Sequence, residues 1–197
     1  TLVMLHDVLN VLCNSDWLSG VLVATRSLKV RRLAQELGAE IFKESANANH
    51  SMAVSQACMY LRSNHLADTV MVLPGDIPCI TAEDIEALFA NHDRITLVPD
   101  VRGEGTNGII VSPPDAIAFK FGQQSLKWHS ESANERGILA QIRVNQNVSL
   151  DVDYPDDLAH AVAQLPADRS ETRRFLEESG IAERLVVSQC TRATDEN

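Results

Sequence analysis

Apolar residues Leu2, Leu5, Leu9 and Leu12 recur at helical spacing, so residues 1–14 predict a helix. Gly20 leads into Val21, Leu22 and Val23, a short buried strand. Ser27 is placed to cap a second helix, in which Val30, Leu33, Ala34 and Leu37 share one face and Gly38 marks the stop. Residues 39–42 read as strand and residues 51–66 as helix. The strongest strand signal is the apolar run from Thr69 to Leu73, ended by Pro74-Gly75. Thr81 with Asp84 three residues on opens the next helix in a near relative of the capping box. Residues 95–98 and 109–111 read as strands joined by the loop 99–107, and Ser125 is placed to cap a helix ending near Gly137. Residues 142–144 and 148–152 predict two more strands. Pro155 suits the first turn of a helix carrying Leu158, Val162 and Leu165, and a last helix runs from Glu171 to a stop at Gly180. Strands alternating with helices at this pitch predict an α/β fold: one domain over residues 1–190, with a mostly parallel sheet and helices on both faces, then a polar tail over 191–197.

Composition leaves that picture standing and narrows the partners. The chain has 197 residues, within reach of one large domain at about 150 residues each. Its 17 basic and 27 acidic residues leave a net charge of −10, which argues against nucleic acid or an anionic membrane surface as partner. Any anionic substrate is therefore expected to be held by local groups or a metal ion. Cys13, Cys58, Cys79 and Cys190 are far apart without C-x-x-C spacing and read as reduced thiols. No run approaches the roughly 18 apolar residues of a membrane span, and no basic segment precedes an apolar one at the start. The expected compartment is the cytoplasm.

In open parallel sheets ligands bind beyond the carboxyl ends of the strands, so polar residues after strong strands carry the chemistry. Asp76 follows the run ending at Leu73, in Leu73-Pro74-Gly75-Asp76-Ile77-Pro78. It can hold a magnesium ion, which prefers oxygen ligands, or serve as a solvated turn residue. Asp151 and Asp153 stand at the end of the strand expected over 148–152, where alternation puts both on one side, facing one cation. Asp153 is equally a natural N-cap for the helix at Pro155, whose first turn suits Asp156 and Asp157. Gly103-Glu104-Gly105-Thr106-Asn107-Gly108 matches G-x-G-x-x-G, yet a strand rather than a helix follows, so it is no dinucleotide fingerprint. What survives is a glycine-rich turn whose amides and Thr106 hydroxyl can line an anion site, or a plain loop. Phe121-Gly122-Gln123-Gln124-Ser125 leads into a helix start that offers amide donors, with Ser125 as a simple cap the alternative. Lys120, Lys127, His129 and Arg136 can offset the acidity locally. His129 itself reads as a surface or packing residue, since nothing in the spacing gives it a nucleophile partner.

In order along the chain stand Asn49-His50-Ser51-Met52-Ala53-Val54, the segment 73–78, Gly105-Thr106-Asn107, Phe121-Gly122 with Ser125 and His129, and the segment 150–158. That ordered set, from the first helix to about Leu165, resembles the guanylyltransferases of coenzyme F420 biosynthesis, the CofC/FbiD group of the MobA-like, Rossmann-like nucleotidyltransferases. Ser112-Pro113-Pro114-Asp115-Ala116 and Gly137-Ile138 are most similar to its bacterial branch. The resemblance implies transfer of GMP from GTP to the phosphate of a phosphorylated three-carbon acid (phosphoenolpyruvate, 3-phospho-D-glycerate or 2-phospho-L-lactate) with release of pyrophosphate. It makes Asp76, Asp151 and Asp153 catalytic ligands of Mg2+. It gives Thr106, Gly122 and Ser125 to the acid substrate, and His50, Ser51, Pro74 and Gly75 to the nucleotide. A homodimer, and handing of the product to the next transferase of the pathway, belong to the same expectation.

This chain departs from the family pattern at two points. Relatives open with a strand and a Lys/Arg loop that grips the triphosphate, for which nothing stands before Thr1, and Met52 replaces a commonly small or polar residue. Two other readings compete. Asp151-Val152-Asp153 imitates the D-x-D pair of a haloacid-dehalogenase-type phosphatase, though late in the chain rather than on a first strand. A non-catalytic remnant of the nucleotidyltransferase fold is the other.

Overall fold

The computed structural model describes residues 1–166 and 168–185. Along the chain these form α1 (Leu2–Cys13), β1 (Leu22–Ala24), α2 (Leu28–Glu36), β2 (Glu40–Phe42), α3 (His50–Ser63), β3 (Val70–Val72) and α4 (Ala82–Phe89). Then follow β4 (Ile95–Pro99), β5 (Thr106–Val111), α5 (Ser125–Asn134), β6 (Gln141–Ile142), α6 (Gln146–Ser149), α7 (Pro155–Gln164) and α8 (Glu171–Glu178). The main sheet has the order β3-β5-β4-β6, and β1 and β2 pair in parallel as a second sheet. In the main sheet β4 and β6 are parallel, whereas β5 lies antiparallel to both β3 and β4. The mostly parallel sheet thus contains one reversed strand.

Period-two alternation explains how this sheet is covered twice. From β4 and β5, Ile95, Leu97, Ile109 and Val111 face a core shared with Val54 and Cys58 of α3 and Ala133 of α5. Val98 and Ile110 face the opposite core, with Val8 of α1, Ile85 and Leu88 of α4, and Val148 of α6. The helices are capped much as their sequences suggest. Ser27 accepts from the Val30 amide, and Thr81 and Asp84 form a reciprocal capping box. One cap comes from far away: Asp7 of α1 is buried and accepts from Ser170 Oγ at 2.7 Å and from the Glu171 and Thr172 amides at 2.9 Å, placing a carboxylate on the N-terminus of α8.

Several expectations are corrected. Residues 148–152 do not form a strand; residues 146–149 are a short helix. Asn145 accepts from the Val148 amide, while Asn145 and Asn147 both donate to the Asp84 carboxylate, at 2.8 and 2.9 Å. Those side chains anchor the segment on α4 before it can join a ladder. Ser125 is not a cap: Gln124, in the left-handed region at φ 57°, precedes α5, and Ser125 is its first residue. Asp153 does not cap α7 either. Asp157 accepts from the Tyr154 amide at 2.9 Å and from the Asp153 amide at 3.3 Å, leaving the Asp153 side chain outside that role. α3 begins one residue early, at His50, because Asn49 accepts from the Met52 amide.

Cys13, Cys58 and Cys79 are unpaired, with burial pushing the Cys58 thiol up to about 12 and the Cys79 thiol to about 11. Cys190 and the tail over 191–197 lie outside the described residues. Among the described residues no helix is long and apolar enough to cross a membrane.

Candidate functional site

β3 ends at Val72, and Pro74-Gly75 turns the chain so that Asp76 follows half-buried at the strand's carboxyl end. Gly75 packs closely under α1: a Cβ would stand 3.0 Å from the Leu5 Cδ1 methyl, which would have to give way. The Asp76 carbonyl accepts the Val152 amide at 3.0 Å. That bond lays the 150–153 segment beside Asp76 although no strand forms. Burial raises the Asp76 carboxyl above its ordinary range, the charges of Asp151 and then Asp153 raise it further, and His50 opposes them. Asp76, Asp151, Asp153 and His50 therefore share one electrostatic neighbourhood.

A bulge in β5 builds the next part. Val98 pairs with Gly108 but Pro99 pairs with Thr106, so Asn107 is an extra residue on β5. Strict alternation would send Thr106 and Asn107 to opposite faces, and a bulge re-aims the side chain it carries. Asn107 Nδ2 donates to Asp151 Oδ1 and to the Ser149 carbonyl, both at 3.0 Å. The amide thus holds the Asp151 carboxylate and the backbone beneath it. The preceding turn is tight: Asp100 Oδ1 accepts the Glu104 amide at 2.9 Å, and a Cβ on Gly105 would fall 2.7 Å from Asp100 Oδ2. The Arg102 guanidinium from this turn lies 5.4 Å from the centre of the exposed Tyr154 ring, a cation–π contact across the mouth of the 151–153 segment.

Thr106 faces a third group. His129 of α5 is fully buried; its Nε2 accepts the Lys120 amide at 3.0 Å and its Nδ1 lies 3.1 Å from Thr106 Oγ1. Burial lowers its pKa to about 4, so the ring is neutral at physiological pH. The adjacent Phe121 amide donates to Ser51 Oγ at 2.9 Å, and the Phe121 ring meets His50 and His129 edge-on at 4.6 and 5.1 Å. Gly122 follows at φ +117°, a conformation that favours glycine, and its carbonyl accepts the Ser125 amide at 3.1 Å.

The structure therefore links the residues singled out in the sequence. Asp151, Asp153 and His50 act on Asp76 through their charges. His50 reaches Phe121, Phe121 reaches Ser51 and His129, and His129 reaches Thr106, beside Asn107 and so Asp151. Pro74 and Gly75 form the turn before Asp76. His50 and Ser51 touch the 121 segment, which puts them at the junction of the two halves. The phosphatase-like reading fails on geometry, because the Asp151/Asp153 pair follows a short helix and ends no strand. Asn107 and His129 stand in the ordered motifs without an assigned role; the structure gives Asn107 the hold on Asp151 and makes His129 the packing residue of the two readings, buried and hydrogen-bonded. The expected local cations are partly engaged elsewhere. Arg136 donates to the Asp115 and Ala116 carbonyls, Lys127 stands 3.9 Å from Glu131, and Lys120 lies over the Trp128 ring.

Among the described residues, no group of three or more His, Cys, Asp or Glu side chains is gathered closely enough to hold a metal ion by itself. The donors at hand are hard carboxylate oxygens, with Asp76 raised first by burial and then by the charges of Asp151 and Asp153, a set that suits a hard divalent cation that would draw much of its shell from water and substrate phosphate.

Comparison with known proteins bears on this arrangement. Residues 1–192 match the model of the family described as "Guanylyl transferase CofC like". A phosphoenolpyruvate guanylyltransferase of Conexibacter woesei is 35% identical over 170 residues, covering 84% of this chain and 75% of that protein. A 2-phospho-L-lactate guanylyltransferase of Methanobrevibacter smithii is 29% identical over 196 residues, covering 95% and 84%. Among solved structures, one described as a nucleotide-diphospho-sugar transferase from Desulfovibrio desulfuricans superposes with a TM-score of 0.66 at 18% identity, covering 93% of this chain and 84% of its own. A 4-diphosphocytidyl-2C-methyl-D-erythritol synthase superposes at 0.61 with 11% identity, covering 78% and 86%. At these identities the structural likeness shows the fold alone.

Proposed function

The chain belongs to the CofC-like guanylyl transferase family, a family of nucleotidyltransferases, and from that membership we propose that it transfers GMP from GTP to the phosphate of a phosphorylated three-carbon acid. Phosphoenolpyruvate, 3-phospho-D-glycerate and 2-phospho-L-lactate are the acids in view, and the guanylylated product passes to the next transferase of coenzyme F420 biosynthesis. The observation that carries the reading is that the carboxylates of Asp151 and Asp153, which act on Asp76 electrostatically, stand beside the Thr106 hydroxyl, with Asn107, next to Thr106, holding Asp151, and His129 and Phe121 tying Thr106 to the segment before α5.

Each half has a separate chemical task. Attack of the acid's phosphate on the α-phosphorus of GTP asks little covalent chemistry of the protein, so alignment and charge neutralisation dominate. Asp76, Asp151 and Asp153 are the residues that would hold Mg2+, which when bound neutralises charge on the triphosphate. Asn107 fixes one Asp151 oxygen and so sets the direction of the other. The start of α5 carries a partial positive charge suited to an anion, although its Ser125 and Leu126 amides already donate to the Gly122 and Glu104 carbonyls. His50 and Ser51 hold Phe121 against that start and border the nucleotide side.

Incubating the full-length protein with GTP, magnesium and each acid separately, and measuring pyrophosphate, tests the reading. Release with at least one acid is expected, and none with any of the three would remove it. The same reading includes a homodimer, for which the exposed Leu139, Ile142 and Val144 about the edge strand β6 supply an apolar strip. A purely monomeric sedimentation profile at micromolar protein would exclude that part.

A further inference from the structure

The His129 ring has a tautomer that its surroundings dictate. A backbone amide can only donate, so the Nε2 that accepts from Lys120 carries no proton. The ring is fully buried with no acidic partner against it, so it is neutral, and its one proton is on Nδ1. Nδ1 stands 3.1 Å from Thr106 Oγ1; the ring therefore donates and the hydroxyl oxygen accepts. Phe119 and Phe121 meet the ring edge-on at 6.4 and 5.1 Å, and turning it over would exchange both hydrogen bonds for carbon contacts.

The consequence falls on Thr106. Its hydroxyl has one proton, and with the oxygen already accepting from His129 that proton is left to donate. Among the described residues no acceptor takes it: His129 is the hydroxyl's sole hydrogen-bond partner there. Thr106 is 7% exposed, and a nearly buried donor without an acceptor is costly unless a ligand supplies one. Asn107 spends its amide hydrogens on Asp151 and the Ser149 carbonyl, and the Lys120, Phe121, Ser125 and Leu126 amides are engaged as well, so the Thr106 hydroxyl is the donor left over, matched to an anion's oxygen.

We propose that His129 is a positioning residue for the acid substrate: through Nδ1–H it fixes the Thr106 hydroxyl as a donor aimed at the phosphorylated acid, while its Nε2 pins the Lys120 amide beside it. The inference rests on the guanylyltransferase reading for the identity of the ligand, and on the hydrogen bonds alone for the tautomer. It separates two contacts of one side chain. Asparagine at 129 can keep a donor near the Nδ1 position and loses the contact to Lys120; glutamine can keep an acceptor near Nε2 and loses the donor to Thr106.

The test is steady-state kinetics of the full chain with His129→Asn, His129→Gln, Thr106→Val and the double variant His129→Gln/Thr106→Val. His129→Asn should leave the KM for the acid within about threefold, whereas His129→Gln and Thr106→Val each raise it about tenfold or more, as expected for one hydrogen bond to a charged group. The KM for GTP should stay unchanged in all, and the double variant should be no worse than the single ones, because both remove the same bond. Equal damage from Asn and Gln, an equal rise in the GTP KM, or additive losses would overturn the proposal. Nitrogen NMR of the wild-type imidazole provides a measurement that no folding defect can confound: a proton on Nδ1 is expected, and a proton on Nε2 overturns it. A wild type that makes no pyrophosphate with any acid removes the functional reading and the acid-directed role with it, and the spectrum alone then decides the tautomer.

Discussion

The amide of Val152 donates to the carbonyl of Asp76 at 3.0 Å, and through this bond a loop that follows α6 is set along the end of β3. Asp76 thereby comes within the field of Asp151 and Asp153, and its carboxyl is raised first by burial and then by those two charges. A carboxylate whose folded pKa is raised costs stability once pH climbs above its ordinary value, because the folded state holds its proton more tightly than the unfolded one.

Asp76→Asn removes that cost and the charge together. Turnover should fall by about a hundredfold or more, the scale of losing several kcal/mol of charge stabilisation, while Tm at neutral pH rises. Magnesium should raise the Tm of the wild type and leave that of the variant nearly unmoved. Unchanged turnover in a pyrophosphate assay would take Asp76 out of the site.

Asn107→Leu keeps the branched shape of the bulge residue and deletes the donor to Asp151 and to the Ser149 carbonyl. Loss of about 1–3 kcal/mol of stability is expected from the carbonyl left without its partner. The apparent magnesium requirement should rise about tenfold or more, the effect of removing a group that orients a metal-binding carboxylate. Magnesium titrations of activity that superpose on the wild type would show that Asp151 needs no support.

Asp7→Ala tests a purely structural relationship. It strips Ser170 Oγ and the Glu171 and Thr172 amides of their acceptor at the start of α8, for an expected cost of about 2 kcal/mol. Urea denaturation should shift its midpoint, and the KM values for GTP and acid should not move.

His129 predicts a pH dependence of stability. Its folded pKa is about 4 against an ordinary 6.5. Between those values the unfolded chain binds the proton and the folded one does not, so stability is complete above about pH 6.5 and is lost as pH falls toward 4. Burial of this depth corresponds to about 3 kcal/mol over the window. Denaturant midpoints taken at pH 7, 6 and 5 should fall more steeply for the wild type than for His129→Gln; parallel slopes would show that the ring is not held neutral.

The chemistry and most of the elements were legible along the chain, because they depend on near neighbours. The run Thr69 to Leu73 needs no partner to declare a buried strand, and Thr81 with Asp84 carries its own capping geometry. The ordered motifs containing Asp76, Thr106, Gly122, Ser125 and Asp151 sufficed to name the family that the whole chain matches. Strand direction and register were not legible, since period-two alternation is identical for a strand running either way. Only pairing with β3 and β4 decided that β5 is reversed, and only the register break at Val98/Pro99 made Asn107 a bulge residue facing Asp151. Residues 148–152 looked like a strand by composition, but Asn145 and Asn147 bind Asp84 on a helix far back in the sequence, and those bonds outweigh local β preference. His129 shows the same division. Its place on a helix follows from local pattern, whereas its burial, its tautomer and its hold on Thr106 exist only because α5, β5 and the 119–121 segment pack together.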